Sequence, residues 1–432
     1  MTKPLGLTQK ILIAMVLAIF AGALAQAITG FTDWLDVLIK DWLAGGLFFV
    51  MGKIFVATLK LLVVPMVFVS LVCGAASLGG GKQMGRLGGK TVLLYLFTTA
   101  VAITLAMVLA LLFQPGVGAE LTSTSQVSIS QGSSFAKVLI DIFPSNPIAA
   151  MAEGKMLQII VFALLLGVAI NHSGEAGERL KKNFQDWNEV VMKLVGMLMQ
   201  LAPYGVFALL FNLFASKGLG AIEELAVYFA TVVLVLVLHA TIVYPSLLVV
   251  LARLKPTIFF RKMRPVQLFA FSTASSNATL PITMTTVENR LGVDNKVASF
   301  SLPLGATLNM DGTAIMQGVA TVFIAQAYGI DLSAMDYLTV IVTATLASIG
   351  TAGVPGVGLV MLSLVLTQVG LPVEGIALII GVDRLLDMLR TAVNVTGDAA
   401  VSCIVAKSEG QLDLACFESE GSKSAQSDGF VK

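Results

Sequence analysis

Long apolar runs constrain this chain more than any other feature of its sequence. Runs of about 20 residues, the length that a helix needs to cross a bilayer, recur along it. They predict membrane spans near 11–30, 46–76, 88–113, 155–171, 187–215, 225–252, 298–328 and 372–406. Only 12% of the residues are charged, too few to cover the surface of a soluble domain. The sequence therefore predicts an all-α polytopic membrane protein with lipid around much of its surface.

Basic residues recur at every second connection between these spans, and the alternate connections are acidic or neutral. The basic positions are Lys82, Arg86, Lys90, Arg179, Lys181, Lys182, Arg253, Lys255, Arg261, Lys262 and Arg264. By the positive-inside rule, this pattern places both termini in the cytoplasm of a multi-pass protein of the cell membrane, in bacteria the inner membrane. Lys3 and the small residues 25–27 also resemble a signal peptide. The near-spanning length of the first run favours an uncleaved span.

Two hydrophobic stretches are interrupted in the middle by small hydroxylated residues, glycine and proline. The stretch 265–290 contains STASSNATLP at 272–281, and the stretch 336–370 contains ASIGTAGVPG at 347–356. Backbone that leaves a regular helix is tolerated at membrane depth only inside protein or beside a wet cavity. Each stretch is therefore expected to form a re-entrant helical hairpin. The alternative is a pair of small-residue helices that pack closely against their neighbours.

Each broken stretch is followed by a span with an Asn-x-x-Gly sequence beside a carboxylate. The first is Asn309–Gly312 with Asp311, and the second is Asn394–Gly397 with Asp398. Paired interruptions at corresponding positions are typical of inverted repeats around a binding site at the bilayer midplane.

The last span carries polar residues along one face, namely Asp383, Asp387, Arg390, Thr391, Asn394 and Asp398. Charges at membrane depth are expensive, so this face must meet protein or water. A guanidinium suits a substrate carboxylate, and Asp387 suits an ammonium group. Asn309, Asp311, Asn394 and Asp398 offer hard oxygen ligands for small cations. The alternatives are a structural ion pair between Asp387 and Arg390 and, for the Tyr95, Thr98 and Thr99 trio, ordinary helix packing.

Several function classes fit the sequence poorly. A formal charge of +1 provides no basic face for nucleic acid. Cys73, Cys403 and Cys416 have no metal-type or disulfide spacing. A hydrolase would need Ser275 or Ser276 beside a base such as His239. A channel would show a ring-forming selectivity segment instead of two broken hairpins.

Four motifs resemble the dicarboxylate/amino acid:cation symporters, the family of the glutamate transporters and of archaeal aspartate transporters. They are SSNATLP (275–281), LPLGATLNMDGTA (302–314), SIGTAGVPG (348–356) and DMLRTAVNVTGD (387–398). The resemblance also covers LLVVPMVFVSLVCG (61–74) and YLFTT (95–99). It implies an elevator-type fold of eight transmembrane helices and two re-entrant hairpins, assembled as a homotrimer. It also implies a symporter that is no enzyme and that needs no organic cofactor.

The resemblance implies a division of the chain into two units. Residues 1–87 and 114–224, with an extracellular loop at 114–150, would form the scaffold. Residues 88–113 and 225–407 would form the transport unit, with hairpin 1 at about 256–292 and hairpin 2 at about 334–370. The polar tail 408–432 is expected to be a disordered cytoplasmic segment.

Residue by residue, the resemblance also implies two kinds of site. The implied substrate site comprises Ser275, Ser276, Thr313, Val354, Gly358, Asp387, Arg390, Thr391 and Asn394. About three sodium sites are implied, formed by Tyr95, Thr98, Thr99, Gly305, Thr307, Asn309, Asp311, Ser348, Ile349, Thr351, Asn394 and Asp398.

This sequence departs from the family pattern at the supporting arginine. Archaeal members carry it two residues before the hairpin serine, where this chain has Ala274, and animal members carry it where this chain has Met388. Arg384 could replace it, or it could simply pair with Asp383. Because Arg390 matches the position linked to a side-chain carboxylate, the expected function is sodium-coupled import of aspartate or glutamate. The alternative is proton- or sodium-coupled transport of a C4-dicarboxylate, or transport of a neutral amino acid, by the same fold.

Overall fold

The computed structural model of the chain describes residues 7–76, 81–118, 143–217, 220–348 and 356–419. Within these ranges the protein is helical, with an isolated bridge between Val293 and Leu412 as its β pairing, which agrees with the all-α prediction. The helices are α1 (Leu7–Ile28), α2 (Asp33–Asp36), α3 (Phe49–Ala76), α4 (Gly81–Phe113), α5 (Pro147–Glu153), α6 (Met156–Asn171), α7 (Gly174–Leu198), α8 (Ala202–Lys217), α9 (Gly220–Leu238), α10 (Tyr244–Ala252), α11 (Pro256–Thr273), α12 (Ser276–Asn289), α13 (Asn295–Leu308), α14 (Asp311–Ala327), α15 (Ala334–Ser348), α16 (Val357–Gln368), α17 (Ile376–Ser408) and α18 (Leu414–Glu418). Short π-helical segments, Val37–Phe48 and His239–Val243, join α2 to α3 and α9 to α10.

Three helical stretches among the described residues are long and apolar enough to cross a membrane. They are Gln9–Ile28, Arg86–Phe113 and Leu225–Ala252, and the bent pair Gly174–Leu198 and Ala202–Ser216 would make a fourth. Helix α17 is long enough but not apolar enough, because it carries charged residues along its length. The predicted count of eight spans therefore stays a prediction.

Two predicted spans differ from the helices that form. The predicted span 187–215 is divided between α7 and α8, which are bent by 47° relative to each other, and α7 begins earlier, at Gly174. The predicted span 298–328 is broken at Asn309 and Met310, between α13 and α14. Both breaks lie inside apolar runs, so apolar periodicity alone does not place them, although Pro203 follows the first break and Gly312 follows the second.

The two interrupted stretches form helix pairs. Helices α11 and α12 meet at Ala274, whose φ of +48° lies in the left-handed region, and Ser275 caps α12. Helices α15 and α16 flank residues 349–355, which lie outside the described residues. The predicted site residues Ile349, Thr351 and Val354 fall within this range. Both arms of the first pair pack against α17, and α16 packs against α14 and α3.

Helix α17 lies at the centre of the fold. It packs against α4, α8, α9, α10, α11, α12, α13, α14 and α16. A helix that is enclosed along most of its length can carry buried polar residues only where neighbouring elements satisfy them. The surroundings of α17 are therefore where a polar site belongs.

The tail that was predicted to be disordered, residues 408–432, is described only as far as residue 419, and residues 420–432 lie outside the described residues. Residues 409–419 are ordered, and they include α18, in which Cys416 and Phe417 are buried. A polar composition indicated disorder, but these two side chains give the segment enough apolar area to pack against the rest of the protein.

Candidate functional site

The predicted polar face of α17 is buried in the protein. Asp383, Asp387, Thr391, Asn394 and Asp398 are each at most 8% exposed. The side chain of Arg390 is fully enclosed, at 0%. The structure thus brings together the residues that the helical spacing placed on one face.

Arg390 bridges two carboxylates of its own helix. Its Nη1 donates to Asp383 Oδ1 at 2.8 Å, and its Nη2 donates to Asp387 Oδ1 at 2.9 Å. Arg384 Nη1 donates to the other Asp387 oxygen at 3.3 Å, so this guanidinium contacts the carboxylate that was predicted to need support. The fork geometry of two guanidinium donors favours such pairing with carboxylates. Two arginines and two aspartates form a buried cluster with no net charge. The sequence identified the face, but not the bond between Arg390 and Asp383.

The second helix pair reaches this cluster at the start of α16. The amide of Gly356 donates to Asp387 Oδ2 at 3.2 Å. A Cβ on Gly358 would lie 3.2 Å from Arg390 Nη2 and 3.1 Å from Met316 Cε, tighter than side chains normally pack. Gly358 therefore lets the backbone approach the guanidinium of Arg390.

The break between α13 and α14 approaches α17 from another side. Asn394 Oδ1 accepts a hydrogen bond from the amide of Gly312 at 2.7 Å, and a Cβ on Gly312 would lie 2.7 Å from the carbonyl oxygen of Arg390. Asn394 Nδ2 contacts Met310 Sδ at 3.4 Å. Thr313 follows within the first turn of α14 and is buried. The predicted polar positions of the two Asn-x-x-Gly sequences are thus in direct contact.

The tip of the first helix pair presents a helix N-terminus. Ser275 Oγ accepts a hydrogen bond from the amide of Ala278 at 3.2 Å, and Ser276 is the first residue of α12. Both serines are buried. Amides at a helix N-terminus suit an anionic group, so this tip has the chemistry predicted for a substrate carboxylate.

Several oxygen atoms surround Asn309 and Asp398, further towards the C-terminal end of α17. Asn309 Nδ2 donates to Asp398 Oδ1 at 2.9 Å, and Thr98 Oγ1 donates to Asn309 Oδ1 at 3.4 Å. A Cβ on Gly305 would lie 2.5 Å from Asp398 Oδ1 and 2.6 Å from the Tyr95 hydroxyl. Gly305 therefore lets carboxylate and hydroxyl oxygens approach its backbone closely, and with the Asn309 amide oxygen they form a donor set that fits a small hard cation.

Asp311 forms a second group of oxygens with residues of α4 and α10. Thr99 Oγ1 donates to Asp311 Oδ1 at 2.6 Å, and Tyr244 OH donates to Asp311 Oδ2 at 2.9 Å. His239 Nε2 lies 3.2 Å from Asp311 Oδ2. Sequence reasoning did not connect His239 and Tyr244 with this carboxylate, because no local spacing relates them to it. The bond to Asp311 also disfavours the hydrolase interpretation, in which His239 would act on a serine.

Two predicted cation ligands donate hydrogen bonds to carbonyl oxygens of their own helices. Thr307 Oγ1 donates to the Leu304 carbonyl at 2.9 Å, and Ser348 Oγ donates to the Thr345 carbonyl at 2.7 Å. Each hydroxyl oxygen keeps a lone pair that can accept or coordinate. Thr307 Oγ1 also lies 3.5 Å from the Pro303 carbonyl oxygen, again within its own helix.

Comparison with known proteins identifies the family. The model of the sodium:dicarboxylate symporter family matches residues 7–408. The chain belongs to this family. The matched region contains every residue of the site described above.

Individual relatives of this symporter family member cover most of its length. A proton/glutamate-aspartate symporter from Escherichia coli (strain K12) is 37% identical over 94% of both chains. A proton/sodium-glutamate symport protein from Geobacillus stearothermophilus is 34% identical over 95% of this chain and 96% of the relative. An excitatory amino acid transporter from Caenorhabditis elegans is 36% identical over 82% of this chain and 80% of the relative. The predicted family is therefore confirmed.

Proposed function

We propose that this symporter imports an acidic amino acid, aspartate or glutamate, together with sodium ions. The observation that carries the proposal is the enclosed guanidinium of Arg390, which lies beside the start of α16 and is forked between Asp383 and Asp387. A substrate carboxylate is the natural ligand for such a group, and Asp387 can accept the substrate's ammonium group. The names of the relatives from E. coli and G. stearothermophilus, which specify glutamate, support the same substrate class.

Charge balance supports coupling to about three cations. The cluster of Asp383, Arg384, Asp387 and Arg390 is neutral by itself. An acidic amino acid brings one net negative charge, and Asp311 and Asp398 add one each. Uncompensated charge is strongly disfavoured at membrane depth, so the loaded site needs small cations near these carboxylates. The oxygen groups around Asn309 and Asp311 provide positions for them.

We further propose the elevator mechanism for this transport. In it, the hairpins and α17 move as part of one unit against a scaffold that includes α3 and α8, within a homotrimer. Closing hairpin 2 over the site is favoured only when substrate and cations neutralise the buried carboxylates, which prevents futile movement of a partly loaded carrier.

A competition experiment tests the substrate and the coupling ion together. The purified protein is reconstituted in liposomes, and uptake of labelled aspartate is measured with and without a sodium gradient. Unlabelled glutamate should inhibit strongly, whereas succinate and serine should inhibit weakly. Uptake should require sodium and should saturate.

Other outcomes would identify the alternatives. Strong inhibition by succinate would indicate a dicarboxylate carrier, and strong inhibition by serine would indicate a neutral amino acid carrier. Uptake that is driven by a pH gradient in the absence of sodium would show that the coupling ion is the proton instead of sodium. Flux that never saturates would contradict the carrier mechanism.

A further inference from the structure

A buried ammonium group lies far from the site described above, on α11 of hairpin 1. The Nζ of Lys262 donates to the carbonyl oxygens of Arg290 at 2.8 Å, Cys416 at 2.9 Å and Phe417 at 2.8 Å. Lys262 is only 7% exposed. An ammonium group has three hydrogens, and here each has an acceptor. Buried lysines are rare unless their charge is satisfied, so this arrangement is a built contact.

The three acceptors lie at the ends of two helices. Cys416 and Phe417 belong to α18, and Arg290 is the C-cap residue that follows α12. The carbonyl ends of helices carry partial negative charge, which a cation stabilises. The ring of Phe417 is 1% exposed and lies 5.9 Å from Nζ. Lys262 therefore joins both arms of hairpin 1 to the segment that follows α17.

Backbone hydrogen bonds strengthen this attachment. The amide of Asp413 donates to the Gly292 carbonyl at 2.8 Å, and the amide of Asp294 donates to the Gln411 carbonyl at 3.0 Å. Gly292 has a φ of +76°, and a Cβ there would lie 2.4 Å from the Asp413 carbonyl oxygen. Glycine is therefore required at this crossing.

The same segment is attached to α4 by ion pairs. Glu409 contacts Arg86 and Lys90, and its bond to Lys90 Nζ is 2.6 Å. Residues 409–419, here called the C-terminal latch, thus continue from α17 and contact both hairpin 1 and α4. The latch lies beyond residues 7–408, the region that the family model matches.

We propose that Lys262 is a positioning residue that acts through the C-terminal latch. The latch holds hairpin 1, α4 and α17 together as one body, so that the tip at Ser275 and Ser276 keeps its place against α17. The effect of the latch on transport rests on the proposed function, but the attachment of the latch to hairpin 1 and α4 can be tested without any substrate.

The first test measures whether the latch is released. In a protein with Cys73→Ala and Cys403→Ala, Cys416 is the remaining cysteine. Because Cys416 is 3% exposed, a maleimide should label it slowly. Lys262→Met removes the three donors and should speed labelling about tenfold or more, since charged hydrogen bonds are lost. Gly292→Ala, whose Cβ would lie 2.4 Å from the Asp413 carbonyl oxygen, should give the same result. Deletion of residues 420–432 is the matched control and should leave labelling slow.

The second test measures whether release loosens hairpin 1. Spin labels are placed at Thr285 on α12 and Leu93 on α4, both exposed. The distribution of distances between them should be narrow in the parent and in the deletion control. It should broaden in Lys262→Met and in Gly292→Ala.

The third test separates positioning from loss of folded protein. A merely structural defect would lower the maximal uptake rate alone, whereas a displaced hairpin tip should raise the half-saturating aspartate concentration several-fold. Slow labelling of Cys416 in Lys262→Met would overturn the role of Lys262. Fast labelling with an unchanged distance distribution and unchanged half-saturation would overturn the positioning role of the latch. Failure of the parent to take up aspartate would count against the proposed function and would leave the first two tests valid.

Discussion

At the scale of single residues, the buried charges of α17 depend on one another. Arg390 has carboxylate partners on both sides, and Asp387 has two guanidinium partners. Removing one member of a buried pair leaves an uncompensated charge, which typically costs about 3–5 kcal/mol. A substrate with its own carboxylate and ammonium groups can take the place of these partners without leaving a buried charge unpaired. Under the proposed function, this cluster is the part of the site that binds the charged groups of the substrate.

Arg384 is predicted to support Asp387, because this sequence has no arginine at Ala274 or Met388. Arg384→Ala removes the hydrogen bond of 3.3 Å to Asp387 Oδ2. Because a hydrogen bond to a charged group contributes about 1.5–3 kcal/mol, the half-saturating aspartate concentration should rise about tenfold or more. The exposed Arg264 provides the control, since Arg264→Ala should change nothing. Unchanged affinity and rate in Arg384→Ala would rule the idea out.

Asp398→Asn is predicted to weaken the dependence on sodium far more than it harms folding. The asparagine keeps the size of the side chain and an oxygen near Asn309, but it removes the negative charge that a cation needs. The sodium concentration that gives half-maximal uptake should rise more than tenfold. The thermal unfolding midpoint should change by only a few degrees. Equal sodium dependence in this variant and in the parent, at matched expression, would contradict the assignment of Asp398.

At the scale of helices, the sequence predicts the interruptions well and the long-range contacts poorly. Small residues and proline in apolar runs carry a local signal, and so does the polar face of α17, whose period is that of a helix. The contacts of Asp311 with His239 and Tyr244 bridge positions that are far apart in the sequence, so no local pattern reveals them. The latch was missed for a different reason. Its polar composition hides two buried side chains and a set of backbone hydrogen bonds.

The attachment of the latch to α4 should depend on pH. Hydrogen bonds from Lys90, with those from Arg86, lower the pKa of the Glu409 carboxyl below its usual value of 4.5. A lowered pKa stabilises the folded state above the unfolded pKa, and this stabilisation is lost as the pH falls through the folded pKa. The thermal midpoint of the parent should therefore exceed that of Glu409→Gln by a constant amount above about pH 5. The difference should shrink as the pH falls below 4.5. If the difference in thermal midpoint persists at acidic pH, the stabilisation does not come from the charge of Glu409.

At the scale of the whole molecule, the proposed elevator requires contacts between scaffold and transport unit to break and reform. One such contact joins Lys53 Nζ on α3 to Glu374 Oε1, just before α17, at 3.2 Å. Both side chains are more than two fifths exposed, so the pair contributes little to stability and can separate readily. A covalent bond at this position would remove that freedom.

Crosslinking this contact tests the movement directly. In a background with the native cysteines replaced, Lys53→Cys and Glu374→Cys are joined by a short reducible thiol crosslinker. Uptake should fall to background after crosslinking and should recover on reduction, because the transport unit can no longer move past α3. Each single-cysteine protein is the control and should be unaffected by the reagent. Full uptake with complete crosslinking would contradict the elevator.

The central claim is that the enclosed guanidinium of Arg390 selects an acidic amino acid. Its most direct test is sodium-dependent uptake of labelled aspartate by liposomes that contain the parent, Arg390→Ala or Arg264→Ala at matched, folded amounts. The parent and Arg264→Ala should show equal, saturable uptake, whereas Arg390→Ala should lose at least about a hundredfold in apparent affinity for aspartate. Aspartate uptake by Arg390→Ala with the affinity of the parent would contradict the account.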